Sequence, residues 1–351
     1  MQTTLQKDLI DLLNADYIPF RELKNKTFLI TGSTGMLGYN IINSLVFLSE
    51  KLDLNITIHA IARNPDKVRT LFSKLLQYEK IFFYYDDIFS FKNNSVNYDY
   101  ILHTASPTSS RYFIEHPVEI IDFAYKTTKH LLGLARHKKS TFIYFSSMEI
   151  YGTPTTDKEI TEDFISSCPQ TMNSRSSYSE GKRLCETLVK SYNEEYDVNC
   201  NVLRLTQTFG PGVMEDDNRV FAQFARAARK GDNIILLSKG NTKRSYLYTM
   251  DLVSGLFTIL LKGKPGEAYN IANEETYCSI REMAELALSL SEKKCRLEFK
   301  IENTKSNMYL PPTKFNLNCN KIKSLGWYPR KDLKNMFLSL ISFWKECDKN
   351  M

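Results

Sequence analysis

The chain has 351 residues, 42% of them hydrophobic and 25% charged, with a formal net charge of +6. That length buries a sizeable core, and that composition excludes a disordered chain or a fibre. Lysines and acids are interspersed without a like-charged block, which argues against a basic groove for nucleic acid and leaves a mild bias towards anionic small molecules.

In chain order, Met1 to Asn14 is too charged for a signal peptide, and Leu5, Ile10, Leu12 and Leu13 predict a short amphipathic helix. Thr27–Thr31 reads as a strand and Met36–Lys51 as a helix. Ile56–Ala62 is a second strand, followed by Pro65–Leu75 as helix. Ile81–Tyr85 and Tyr100–Thr104 are further strands. Pro117–Arg136 reads as helix, Thr141–Ser146 as strand, Ser174–Glu195 as helix and Asn201–Leu205 as strand. This alternation, with β-branched and aromatic runs, predicts an α/β fold built on a doubly wound parallel sheet covered on both faces. Beyond Thr206 the rhythm loosens. Short strands (Ile234–Leu237, Ala268–Ile271, Arg296–Lys300) sit among helices (Arg219–Lys230, Asp251–Leu261, Ser279–Leu290, Asp332–Trp344). They predict a smaller α/β lobe over the carboxyl edge of the sheet, where such folds bind ligands. The longest apolar stretch, Leu252 to Leu261, falls short of the ~20 residues that cross a bilayer. No membrane insertion and a cytoplasmic location are therefore expected. The seven cysteines (Cys168, Cys185, Cys200, Cys278, Cys295, Cys319, Cys347) and five histidines lack ligand spacing. A reducing compartment and no metal site are expected.

Thr31-Gly32-Ser33-Thr34-Gly35-Met36-Leu37-Gly38 covers the turn from the first strand into the first helix. Glycine there lets the backbone turn tightly and approach a pyrophosphate, while the helix N-terminus supplies N–H donors. Gly32, Thr34, Gly35, Met36, Leu37 and Gly38 are thus candidate cofactor contacts; a tight turn without a ligand is the plainer alternative. The expected organisation is a helical extension over 1–24, a Rossmann-like dinucleotide-binding domain over 25–205 and a substrate-binding lobe over 206–351. The second strand ends in Ala62-Arg63-Asn64, with no acid to take a ribose hydroxyl. The Arg63 guanidinium suits a 2′-phosphate, so NADP(H) is favoured over NAD(H), against the reading of Arg63 as an ordinary surface residue. Asp87 and Ile88, past the third strand, are placed to flank an adenine, although Asp87 equally suits a solvated turn.

Tyr178 and Lys182 stand four residues apart and project from one helix face. A free phenol, with a pKa of ~10, is a poor base at neutral pH. A nearby ammonium favours the phenolate, which can then exchange a proton with a substrate hydroxyl. Ser147 follows the strand Thr141–Ser146 and can bond the same substrate oxygen. Glu149 offers a second acid or base. Alone, Ser147 reads as a capping hydroxyl and Glu149 as a surface carboxylate.

The chain resembles the extended short-chain dehydrogenases/reductases of the nucleotide-sugar epimerase, dehydratase and decarboxylase group over roughly residues 25 to 345. Five segments carry the resemblance in order: Thr31–Gly38, His103-Thr104-Ala105-Ser106-Pro107, Ser146 to Gly152, Tyr178–Lys182 and Leu325-Gly326-Trp327-Tyr328-Pro329. It implies Ser147, Tyr178 and Lys182 as catalytic residues, with Glu149 matching a neighbouring family Glu. It places Thr104, Ala105 and Ser106 at the cofactor and Pro107, Met148, Gln207 and Arg219 at the substrate. Arg244 matches the arginine that grips a substrate diphosphate. The implied partners are a nucleotide-diphosphate sugar and a second copy of the chain, docked through Pro117–Arg136 and Ser174–Glu195. Departures narrow the chemistry. Met148 replaces the Asp with which 4,6-dehydratases expel a hydroxyl. Gln207 replaces a substrate-contacting Asn. Gly212 follows Gly210-Pro211 where the UDP-glucuronate decarboxylase branch commonly has Arg. Two reactions remain open, both set by the resemblance in cell-surface polysaccharide synthesis. One is transient oxidation and return of the hydride, as in epimerases and decarboxylases. The other is net NADPH-dependent reduction of a nucleotide-linked keto sugar, as in CDP-alditol-forming reductases. A dinucleotide-binding regulator without turnover is the third reading.

Overall fold

The computed structural model describes residues 2–92, 95–107, 110–165, 171–301 and 312–349. Cys168 lies outside these residues. Six strands form most of the main sheet: β1 (Thr27–Thr31), β2 (Thr57–Ile61), β3 (Ile81–Tyr84), β4 (Tyr100–His103), β5 (Thr141–Ser147) and β6 (Cys200–Leu205). A seventh, Ala268–Ile271, lies beside β6, and all run parallel in the order β3-β2-β1-β4-β5-β6-Ala268–Ile271. The expected parallel sheet is thus present. Phe28, Leu29 and Ile30 are fully buried on both faces of the pleat, as a strand covered by helices on either side requires.

Ala268–Ile271 belongs to this sheet and not to the smaller lobe in which it was expected. Its register is Ala268 to Val202 through Ile271 to Leu205. Asn270 anchors it: its amide nitrogen side chain donates to Ile160 O at 2.9 Å, and its side-chain oxygen accepts from Tyr151 at 2.7 Å. The helix Thr249–Lys262 packs with Met36–Leu52 on one face of the sheet, and Pro117–Lys138 lies along Ser177–Tyr196 on the other. Gly181 lies at that second pairing, where a Cβ would make ordinary van der Waals contact with Ala124 Cβ at 3.5 Å.

The smaller lobe contains a four-stranded sheet that periodicity did not reveal. Lys243–Tyr248 pairs with Asn273–Ser279, Gln207–Phe209 and Lys314–Phe315, while Ile234–Leu236 pairs with Leu297–Phe299. The expected N-terminal helix spans Thr4–Leu13 and starts in a capping box between Thr3 and Gln6. It docks on the C-terminal helix Leu333–Asp348, with the Thr4 hydroxyl donating to Glu346 at 2.7 Å. Asp8 is buried there against Tyr248 and Lys331. Among the described residues no helix is long and apolar enough to cross a membrane, and no group of three or more His, Cys, Asp or Glu side chains could hold a metal.

Candidate active site

The glycine turn is shaped by close approach. Gly32 has φ +65, and a Cβ on it would lie 2.7 Å from Ala105 N and 2.9 Å from Thr104 Oγ1. A side chain there is excluded both by conformation and by the β4 loop. A Cβ on Gly38 would lie 2.5 Å from Gly32 O, so the helix Met36–Leu52 can pack this tightly on β1 only without one. Gly35 caps that helix with no side-chain hydrogen bond, which leaves the first-turn N–H groups of this 17-residue helix uncapped by any side chain. Such an end attracts an anion. The residues present fit a dinucleotide pyrophosphate.

Ser33 Oγ donates to Ile61 O at 2.8 Å, which ties the turn to the end of β2, two residues before Arg63. Arg63 is exposed, and among the described residues no hydrogen bond or ion pair engages its side chain. Asp87, also exposed, accepts from Phe89 N at 3.0 Å and so caps its own turn, while Ile88 is buried. Thr104 Oγ1 donates to Thr31 O at 2.6 Å and holds the β4 loop on β1. His103 sits between Thr31 and Thr127, and burial drives its imidazole down to about 3, helped by Lys182. It is neutral at pH 7.

Ala105, Ser106, Pro107, Tyr178 and Lys182 line one pocket, which brings together the segment after β4 and the helix Ser177–Tyr196. Lys182 is buried, donates to Phe145 O at 2.7 Å and lies 4.8 Å from the Tyr144 ring centroid. Burial lowers its ammonium to about 8. Tyr178 is half-buried, and the Ser147 hydroxyl at the end of β5 is among the groups that favour its phenolate. Burial pushes its phenol well above the ordinary value, and Glu149 adds to that; Ser147, Arg175 and Arg219 pull it back. Ser147 Oγ accepts from Glu149 N at 3.2 Å, which ties the strand end to the turn that follows it.

The remaining candidates spread around this centre. Met148 is in the core, its thioether accepting from Thr206 Oγ1 at 3.4 Å. Gln207 opens the strand Gln207–Phe209, beside Tyr246. Arg219 is held bidentately by Asp217, with Nη2 to Oδ2 at 2.6 Å. Arg244 has a buried Nε that finds no hydrogen-bond partner among the described residues. Arg204, part of a family-like segment, is spent inside the protein: it pairs with Glu186 at 2.8 Å and bonds Tyr151 and Glu162 O. Two neighbours of Tyr178 escaped sequence reasoning. Phe113 stacks on its ring with centroids 4.4 Å apart and planes 12° apart. Arg175 contacts Glu149 at 3.4 Å and lies 5.1 Å over the Phe113 ring. Arg175, three residues before Tyr178, was visible on the same turn; nothing local marks Phe113, which comes from a segment 65 residues earlier.

The family model of the "NAD dependent epimerase/dehydratase family" matches residues 28–272. The chain belongs to that family. The match runs from β1 through the strand Ala268–Ile271, the whole of the parallel sheet. "UDP-glucuronic acid decarboxylase 6" of Arabidopsis thaliana is 27% identical over 311 residues, covering 88% of this chain and 86% of the relative. Two solved structures share the fold. The dTDP-glucose 4,6-dehydratase of Streptomyces venezuelae, with NAD bound, has a TM-score of 0.76 at 18% identity, covering 91% of this chain and 97% of that one. The UDP-glucuronic acid 4-epimerase of Bacillus cereus, with UDP-glucuronic acid and NAD, has a TM-score of 0.75 at 19% identity, covering 91% and 99%. The resemblance to extended short-chain dehydrogenases/reductases is therefore membership, and its pyridine-nucleotide fold is present.

Proposed function

We propose that the protein is an NAD(P)-dependent oxidoreductase acting on a nucleotide-activated sugar, with Tyr178 as acid–base. The observation that carries this reading is that Tyr178 and buried Lys182 line one pocket with the segment after β4, with Ser147 at the end of β5 acting on the same phenol. When bound, the dinucleotide supplies the hydride acceptor or donor. Tyr178 takes or gives the hydroxyl proton of the sugar, and Ser147 bonds the same oxygen and holds it near the phenol. Lys182 keeps a positive charge behind the helix turn and shares its face with Tyr178. Glu149, held beside Tyr178, supplies a second acid or base where the reaction moves a proton at another atom of the sugar. Arg244, with its unpartnered Nε, and Arg219 suit the substrate diphosphate.

Transient oxidation with return of the hydride is the first reading, favoured by Glu149. Net reduction is the second, favoured by Arg63 and Met148. Arg63 is free for a 2′-phosphate, so we favour NADP(H). Gly212 has φ +89, and a Cβ there would lie 2.9 Å from Asn40 Nδ2 and 3.0 Å from Tyr39 Cδ1. No cation for a sugar carboxylate fits at that position, which counts against decarboxylation despite the names of the relatives. We also propose a homodimer through the paired helices, where Val118 is 70% exposed and Ile121 and Leu184 are exposed with it.

The test is Tyr178→Phe, assayed with NADPH and a panel of UDP, CDP, GDP and dTDP sugars. Turnover should fall roughly 10²–10⁴-fold, with dinucleotide affinity nearly unchanged. Undiminished turnover removes the mechanism. Loss of 340 nm absorbance in step with product marks net reduction; recycling gives none at steady state.

A further inference from the structure

We propose that Arg175 is a positioning residue that holds the Glu149 carboxylate beside Tyr178 and clamps Phe113 flat on the phenol ring, and so sets the proton-transfer window of the site. The inference rests on Tyr178 being the acid–base group. Three contacts carry it. Arg175 Nη1 lies 3.4 Å from Glu149 Oε2, its guanidinium lies 5.1 Å over Phe113, and Phe113 stacks on Tyr178 at 4.4 Å. The pair is partly shielded, with side chains 21% and 31% exposed, so its charges are felt more strongly than those of a surface pair.

The charged and titratable groups around the phenol come from every neighbouring element. Glu149 follows β5, Arg175 precedes the helix Ser177–Tyr196, and Arg219 caps the helix Val220–Lys230. Lys182, one turn along the same helix, lies 5.8 Å from the Tyr178 ring centroid, and Tyr144 on β5 lies beneath Lys182. Glu149 opposes the phenolate, while Arg175 and Arg219 favour it. Arg219 is neutralised by Asp217 in a bidentate pair, and Lys182 is turned to Phe145 O. Arg175 is the cation that touches both the opposing carboxylate and the ring stacked on the phenol. Removing it leaves Glu149 uncompensated and Phe113 unclamped.

A difluorotyrosine placed at position 178, whose phenol is more acidic than that of tyrosine, brings the titration into an accessible range for ¹⁹F NMR of the full chain. In Arg175→Met the titration should move up by about one pH unit. In Arg175→Lys it should move much less, because the charge is kept. In Glu149→Gln it should move down, and the double variant Arg175→Met/Glu149→Gln should return near the parent. A titration unmoved or lowered in Arg175→Met overturns the proposal, even if the melting temperature falls, since that outcome makes Arg175 a loop anchor alone. The measurement needs neither substrate nor turnover. Expected shifts without activity on any sugar would sink the proposed reaction and leave this inference standing; unmoved titrations with Tyr178→Phe inactive would do the reverse.

Discussion

Alanine at Gly35 and at Gly38, introduced separately, divides the folding role of the glycine turn from its ligand role. At Gly38 a Cβ would meet Gly32 O at 2.5 Å, Ser33 Cα at 2.6 Å and Ser33 O at 2.7 Å. All three are backbone atoms, so no rotamer change relieves the clash, and the helix Met36–Leu52 must lift from β1. Overpacking of this kind costs about 1–3 kcal/mol. At Gly35 the backbone has φ −79, and a Cβ meets only Gly32 O, at 3.2 Å. The neighbour must give by a few tenths of an ångström, and the fold should lose no more than about 1 kcal/mol. The methyl still crowds the uncapped helix end. Loss of one N–H bond to a charged phosphate is worth about 1.5–3 kcal/mol, or roughly a 10- to 150-fold rise in Kd. Thermal melts give the first quantity and NADPH fluorescence titrations the second. Gly38→Ala should lose stability and binding together. Gly35→Ala should melt within about 3 °C of the parent and bind NADPH at least about tenfold more weakly. Parent-like affinity in Gly35→Ala refutes the phosphate cradle; parent-like stability in Gly38→Ala refutes the packing argument.

Other expectations follow from the same geometry. Burial lowers Lys182 to about 8, from 10.5 when unfolded, so the folded state carries the full penalty below pH 8 and sheds it as the pH rises towards 10.5. Lys182→Met should therefore raise the melting temperature at pH 7, by up to about 3 kcal/mol of stability, and lose that gain by pH 10.5, while turnover disappears; a gain that does not depend on pH contradicts this. Glu186→Ala leaves Arg204 unpaired in a bridge whose side chains are 12% and 14% exposed. A loss of about 3–5 kcal/mol is expected in chemical denaturation, and a loss under 1 kcal/mol would mean that Tyr151 and Glu162 O hold Arg204 unaided. Val118→Asp with Leu184→Asp should convert the proposed dimer to monomer by light scattering, without a fall in monomer secondary structure by circular dichroism. A parent chain that is already monomeric removes the dimer proposal.

The local features were legible. The glycine turn, the strand-and-helix alternation through β6 and the Tyr178–Lys182 spacing depend on residues within a turn or two of each other, and backbone geometry alone fixes what such patterns can form. The N-terminal helix followed from its apolar spacing for the same reason. The pairing of distant segments was decided only by the tertiary structure. Ala268–Ile271 carries no mark that assigns it to β6; its place depends on Asn270 meeting Tyr151 and Ile160 O. The strand Lys243–Tyr248 has polar residues at one end and buried aromatic ones at the other, a pattern that became readable only once its three neighbours were known. The partner of Arg204 was not legible either, because Glu186, which neutralises it, lies on another element. Phe113 and Arg175 became part of the site because the chain folds back over Tyr178. The sequence by itself determined which chemical groups are available and their local direction. Burial, charge neutralisation and stacking are sums over contacts from segments tens to hundreds of residues apart, and these assigned each group its work.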